Sequence, residues 1–315
     1  MEQIKKSTTK GFVAVLVAFL WLLPSVVQAD PHKLNCGKEK TIGEALHELK
    51  PGDTLLVSGV CNENLVIPEE VHRITLDGQG TATINGPDAT RATVEIRGND
   101  ITVRGFTITG GLFGVRVIAG GTATIDGNTI QNTGRDGISV GQNGSAHILN
   151  NTVQNNPEDG ISISESSSAR VGFQEVRGLR TPAPNIIQNN GDRGIAVSRS
   201  SSARIFGNTI RNNLGTGVDV VRASHADISS NTINNNGGDG IFVSQNSGVN
   251  LGRDTTQDPL SDDPNITTVN NAGRGIRCRI NSYADGRLGT LNGNGGATSF
   301  DTSTGPNGGC INSLI

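Results

Sequence analysis

Apolar residues recur along this chain in short alternating triplets, not in long runs. With Φ for an apolar residue, the pattern Gly-Φ-x-Φ begins at Gly114, Gly137, Gly160, Gly194, Gly217, Gly240 and Gly275, at spacings of 23, 23, 34, 23, 23 and 35 residues. A second pattern, Asn-Thr-Ile, begins at Asn128, Asn208 and Asn231. Asn151-Thr152-Val153 and Asn185-Ile186-Ile187 are variants, and these asparagines are spaced 23, 34, 23 and 23. A third triplet reads Ala123-Thr124-Ile125, Ala146-His147-Ile148, Ala169-Arg170-Val171, Ala203-Arg204-Ile205 and Ala226-Asp227-Ile228. Alternation of period two puts the apolar side chains of a strand on one face. A three-residue strand cannot bury that face alone, but stacked repeats bury it together. The expected fold is all-β: a single-domain right-handed parallel β-helix with three strands and about 23 residues per coil. Nine or ten coils are expected, giving a stack about 45 Å long at the usual strand spacing.

The ends differ from the repeat. Lys5, Lys6 and Lys10, the apolar run Phe12 to Leu23 and the small-residue site Val27-Gln28-Ala29 predict a signal peptide over residues 1–29. Residues 30–64 are read as an N-terminal cap, 65–290 as the β-helix and 291–315 as a C-terminal cap. In the first cap, Ile42, Ala45, Leu46 and Leu49 lie at helical spacing. Thr41 and Glu44 form a capping box, and Pro51-Gly52 supplies a stop. Cys36 and Cys61 fall near one end of the exported chain and Cys278 and Cys310 near the other. Pairing Cys36 with Cys61 and Cys278 with Cys310 would close each end, in a compartment that permits disulfides. The Asn column is assigned to turns, where Asn tolerates the left-handed conformation and can bond to its neighbours up the stack. Phe106 takes the Asn place in one coil.

Composition narrows the function. The formal net charge is −3, and removing residues 1–29 with their three Lys and one Glu makes it more negative. Nucleic acid, which selects a basic face, is therefore not expected as a partner. No second segment is long and apolar enough to span a bilayer, so no membrane contact is expected after cleavage. Neither CxxC nor mixed Cys/His spacing occurs, so no metal is expected. No cofactor is expected either, and the protein is expected to be monomeric.

Several segments between Thr41 and Gly111 carry a resemblance. They are the helix, Pro51-Gly52-Asp53-Thr54-Leu55-Leu56-Val57, Asn64-Leu65-Val66-Ile67-Pro68, Ile74-Thr75-Leu76-Asp77-Gly78 and Val103-Arg104-Gly105-Phe106-Thr107-Ile108. This stretch resembles the N-terminal coils of the right-handed β-helix superfamily that includes pectin lyase-like proteins. It is most similar to periplasmic copper-maturation accessory proteins and to carbohydrate-binding or sugar-hydrolase modules. The resemblance implies an exported protein, secreted or periplasmic, that interacts with polysaccharide. It implies no catalytic set. The Asn-Thr-Asp, Gly-His-Gly and Arg-Ile-Lys motifs of polygalacturonase-like enzymes are missing, and Asp30-Pro31-His32-Lys33 lacks the last Asp of the mannuronan epimerase motif.

Candidate chemistry lies on outward columns. Asp159, Arg193, Asp219 and Asp239 are the candidate catalytic set, with Asp192, Arg222 and Phe242 beside them as binding residues. Carboxylates one or two coils apart would suit acid–base work on a uronic-acid polymer by a lyase, epimerase or hydrolase. The same charges also read as solvated inter-coil ladders: Asp159 with Arg193, Glu165 with Arg199, Arg204 with Asp227. His147 and His225 are read as surface histidines, several coils apart. Insertions at Gly172–Pro184 and Gly252–Pro264 project from one corner and offer Arg177, Arg180 and Arg253 as binding residues. The leading reading is a polysaccharide-interacting protein. The others are a uronate-acting enzyme and a scaffold or adhesin that binds protein.

Overall fold

The computed structural model describes residues 31–38, 40–177, 179–252, 263–303 and 308–315. The expected signal peptide, residues 1–29, and Arg253 lie outside the described residues. From Pro31 to Ile315 the chain forms one unit, a right-handed stack of parallel coils. The seven Gly-Φ-x-Φ strands and three others make a ten-stranded sheet, and the other two faces of each coil join in an eighteen-stranded sheet. They join because Thr75–Gly86 and Ile101–Gly110 each run around one corner, with a register shift between Asp77 and Ala82.

Register follows the sequence period. Ile138 lies beside Val115 and Ile161, and Ile161 beside Ile195. Inside, Ile125, Ile148, Val171, Ile205 and Ile228 form a column with no exposed surface. Burying each such side chain contributes about 1.5–3 kcal/mol, which is what lets strands of three residues persist. Cys278 occupies the inward place that Val243 holds one coil earlier, and from there it reaches Cys310. Cys36 is bonded to Cys61 at the other end.

Polar side chains fill the corners by stacking. Asn128, Asn151, Asn185, Asn208, Asn231 and Asn265 hand one hydrogen bond to the next, each Nδ2 donating to the following Oδ1 at 2.9–3.1 Å. Asn156, Asn190, Asn213, Asn236 and Asn271 form a second ladder. Ser167, Ser201, Ser224, Ser247 and Ser282 form a third, each backbone N–H donating to the next hydroxyl. The first ladder corrects one expectation. Its asparagines do not sit in the left-handed conformation; Asn132, Asn155, Asn189, Asn212 and Asn235 do. The ladder positions exist to satisfy buried backbone groups. Phe106 does take the Asn place, and its N–H donates to Asn128 Oδ1 at 3.0 Å.

Two further expectations change. One face carries eleven successive parallel pairings, from His32–Asn35 to Cys310–Leu314. The stack therefore holds about eleven coils, not nine or ten, and spans about 53 Å. The extra coils lie in the stretches read as caps, where irregular loops hide the 23-residue period. The helix is also shorter, Ile42–Leu46, with the Thr41/Glu44 capping box formed. It tightens at its end, where Glu48 and Leu49 donate to Ala45 and Leu46 three residues back.

Candidate functional site

The Gly-Φ-x-Φ sheet carries the acidic and basic residues singled out from the sequence. Asp219 lies in register with Ala196 and Phe242, and Phe242 with Arg277. The residue before each glycine stands next to this column. Arg193 is gripped by three carboxylates there. Its Nε is 2.8 Å from Asp219, one Nη is 3.3 Å from Asp159 and the other 3.5 Å from Asp192. Asp239 is not part of this group; it pairs with Arg277 at 2.9 Å. Arg222 lines the same shallow pocket of about 200 Å³ as Asp159 and Arg193. Phe242 is half-buried between Asp219 and Arg277.

These carboxylates are not a solvated ladder. Asp159 and Asp219 are only 6% and 7% exposed. Burial pushes both up to about 6, against the pull of Arg193. Burial and the neighbouring Asp159 push Asp136 to about 7. The geometry also shows what most of them do. Asp136 accepts from the N–H of Asp159, Asp159 from that of Arg193, and Asp239 from that of Arg274, each one coil on. They tie coil to coil. An arginine already held by three carboxylates has little capacity left for a carboxylate of a ligand.

The face built from the third triplet is different. His147, Arg170, Arg204, Asp227, Asn250 and Asp285 stand in register on successive coils. Ser145, Ser168, Ser202, His225, Gly248 and Tyr283 form the column two residues before it. The members from Ser145 and His147 to His225 and Asp227 floor an open groove of about 480 Å³. Arg170 has no ion-pair partner among the described residues. Burial, then the charge of Arg170, pushes His147 down, which keeps it neutral near pH 7. Arg204 is held by Glu175 at 2.9 Å and faces Asp227 at 3.8 Å.

Glu175 comes from the first insertion. Phe173–Val176 and Leu179–Pro182 pair antiparallel as a hairpin. Phe173 packs edge-on against Phe206, and the Arg180 guanidinium lies over both rings at about 5 Å. Arg180 thus anchors the hairpin, while Arg177 is exposed, with φ at +51°. Phe113 is covered by Arg116 and Arg135 and is 9% exposed.

The far end of the groove holds a cluster that the sequence reading did not assemble. His225 opens the strand His225–Ser229. Its Nε2 is 3.1 Å from Asp227 Oδ1 and its Nδ1 is 3.0 Å from the Tyr283 hydroxyl. Asn250 donates to the same Asp227 oxygen at 3.0 Å. Burial would raise the Asp227 carboxyl, but hydrogen bonds from His225 and Asn250 outweigh it and hold it below the usual range. A signal was present: His225, Gly248 and Tyr283 continue the spacing of Ser145, Ser168 and Ser202, with steps of 23, 34, 23, 23 and 35.

Comparison with known proteins fits this architecture. A cell surface glycoprotein of Methanothermus fervidus is 32% identical over 108 residues, 33% of this chain but only 18% of that protein. An alginate lyase from Paenibacillus sp. str. FPU-7 superposes with a TM-score of 0.51 at 15% identity, covering 85% of this chain and 97% of that one. The A-module of a mannuronan C-5 epimerase from Azotobacter vinelandii gives 0.49 at 14% identity, covering 90% and 88%. At 15% identity the likeness to the alginate lyase is one of fold alone. Residues 52–251, most of the coils described above, match a single family model. The chain belongs to the NosD family, described as periplasmic copper-binding protein.

Proposed function

We propose that this chain is an exported envelope protein that binds an acidic polysaccharide along the groove of the third-triplet face. The observation that carries the reading is Arg170: a cation without an ion-pair partner among the described residues, on the floor of a groove, one coil from His147 on one side and Arg204 on the other. Coils repeat every ~4.8 Å, a spacing commensurate with successive sugar units of an extended chain. Guanidinium groups suit carboxylates because they offer paired donors in a plane. The serines beside them offer hydroxyls to sugar hydroxyls. The leader-like N-terminus and the two disulfides support export, as do the family's periplasmic description and the cell-surface relative.

Copper does not fit the donors of this chain. Copper(I) selects thiolate and thioether ligands, and copper(II) selects clustered imidazoles. The one methionine is Met1. Among the described residues a single group of three metal-type ligands converges, Cys36, Cys61 and Glu63. Its two sulfurs are bonded to each other, and Glu63 accepts from the N–H groups of Ile42 and Gly43.

Retardation of the protein in gels containing polymannuronate or polygalacturonate, with neutral dextran as reference, tests the reading. Selective retardation by the acidic polymers is expected. Arg170→Ala should weaken it about tenfold, a loss of about 1.4 kcal/mol. Glu175→Gln should strengthen it, because it releases Arg204. Equal mobility in all three gels would overturn the reading.

A further inference from the structure

Tyr283 reaches His225 across an intervening coil, over a position that has no side chain. Gly248 stands between them in register with both. A Cβ at Gly248 would lie 2.0–2.1 Å from Cε1 and Cζ of the Tyr283 ring. The preceding coils carry Ser145, Ser168 and Ser202 in this column. Only the loss of the side chain at 248 lets the ring lie flat over the strand. There it stacks toward the imidazole with centroids 6.1 Å apart.

The hydrogen bonds give the cluster a direction. The Asp227 carboxylate can only accept, so His225 Nε2 carries the proton that faces it. Nδ1 is then the acceptor for the Tyr283 hydroxyl. The order is phenol, imidazole, carboxylate, the arrangement by which a weak hydroxyl acid is activated by a base that a third group orients. Burial, then Asp227 and Asp285, hold the Tyr283 phenol above its usual range, so it stays protonated until the imidazole takes its proton. Tyr283 is 38% exposed, and its hydroxyl meets His225 at the end of the groove.

We propose that Tyr283 is a catalytic base for a uronate unit of the bound polysaccharide, with His225 and Asp227 as positioning residues. This rests on the acidic-polysaccharide reading. The sugar carboxylate takes the place of Glu175 on Arg204, one coil from Asp227, and the most acidic C–H of the unit is on the adjacent carbon, C5. The C5–H bond breaks and the proton passes to the Tyr283 oxygen as the phenol proton moves to His225 Nδ1. The imidazolium is stabilised by Asp227. The electron pair left at C5 is delocalised into the C5–C6 bond and the carboxylate, where Arg204 offsets the added charge. Return of a proton from the relay, after exchange with water, restores C5–H. No oxidant, reductant or further reactant is consumed.

The experiment incubates the full exported chain in D2O with polymannuronate, polygalacturonate and hyaluronate, and follows C5 deuteration by NMR. Gel retardation is measured in parallel. The expected result is deuteration of at least one polymer that is also retarded. Tyr283→Phe and Gly248→Ala should each lose at least tenfold in exchange rate while retardation stays within twofold. Tyr283→Phe guards against misfolding, since it keeps the ring. His225→Gln should slow exchange and alter its pH dependence, which a purely structural role would not do. Retardation without deuteration overturns the relay and leaves the binding reading standing. Absence of retardation overturns both. Exchange by Tyr283→Phe at the wild-type rate overturns the assignment of the base.

Discussion

Asn208→Ala should lower the stability of the exported chain by about 3–5 kcal/mol. Asn208 is 1% exposed. Its Nδ2 donates to the carbonyls of Val171 and Phe206 and to Asn231 Oδ1, all at 3.0 Å. Its Oδ1 accepts from the backbone N–H and the Nδ2 of Asn185. Alanine removes all of these at once. It removes the partner of the Asn185 N–H and one donor to the Val171 carbonyl. Each buried polar group left unpaired costs about 1–3 kcal/mol, and the ladder couples them. Thermal unfolding should shift down on the order of 10 °C. Asn62 supplies the comparison: it is exposed and bonds only sideways to Asn85 at 2.9 Å. Asn62→Ala should cost less than about 1 kcal/mol. Equal losses at the two positions would show that the ladder adds nothing beyond an ordinary surface hydrogen bond.

The second large effect is a gain. Asp136, Asp159 and Asp219 have folded-state values of about 7, 6 and 6, against 3.8 for an unperturbed aspartate. The folded chain therefore binds protons at these sites more tightly than the unfolded chain. Their contribution to stability is complete below about pH 4 and is lost as pH rises through 6 and 7. Asp227 acts in the opposite sense, since its folded value is depressed; its contribution fails only as pH falls through that value. Thermal stability should accordingly be higher near pH 5 than near pH 8. Asp136→Asn isolates the largest part. The amide oxygen can still accept from the Asp159 N–H, but the buried charge is gone. At pH 8 this variant should be more stable than the parent by several kcal/mol, up to about 4 from a shift of about three units. Near pH 4 the two should coincide. A variant destabilised equally at both values would mean that Asp136 is needed as a carboxylate, not as an acceptor.

Both effects come from polar groups that the coil buries, and they mark the boundary of what the chain's pattern reveals. The 23-residue period was legible because each strand is short and each apolar triplet has one inward face. Gly114, Gly137 and Gly160 lie at equal steps because one turn of the coil has one length. The two disulfides were legible on another ground, because one pair of cysteines falls near each end of the exported chain. The end coils were not legible. His32–Asn35 and Cys310–Leu314 stack like the rest but carry none of the repeated triplets. The insertion at Gly172 was visible as extra residues, yet its pairing as a hairpin against Arg204 was not.

The candidate site divides in the same way. The spacing alone placed Asp159, Arg193 and Asp219 on one face, and it placed His147, Arg170, Arg204 and Asp227 on another. Whether a carboxylate on either face is solvated or buried depends on side chains from neighbouring coils, which spacing does not record. Arg193 closes over Asp159 and Asp219 and so joins carboxylates of neighbouring coils.

The sequence by itself determined the fold, the coil length and the membership of each column, because these depend only on which residues recur at one period. Tertiary structure alone decided which cations already have partners and which side chains meet. Tyr283 and His225 are 58 residues apart and touch because Gly248 leaves a gap between them. Periodicity fixes where a backbone position falls; only packing fixes how far its side chain can reach.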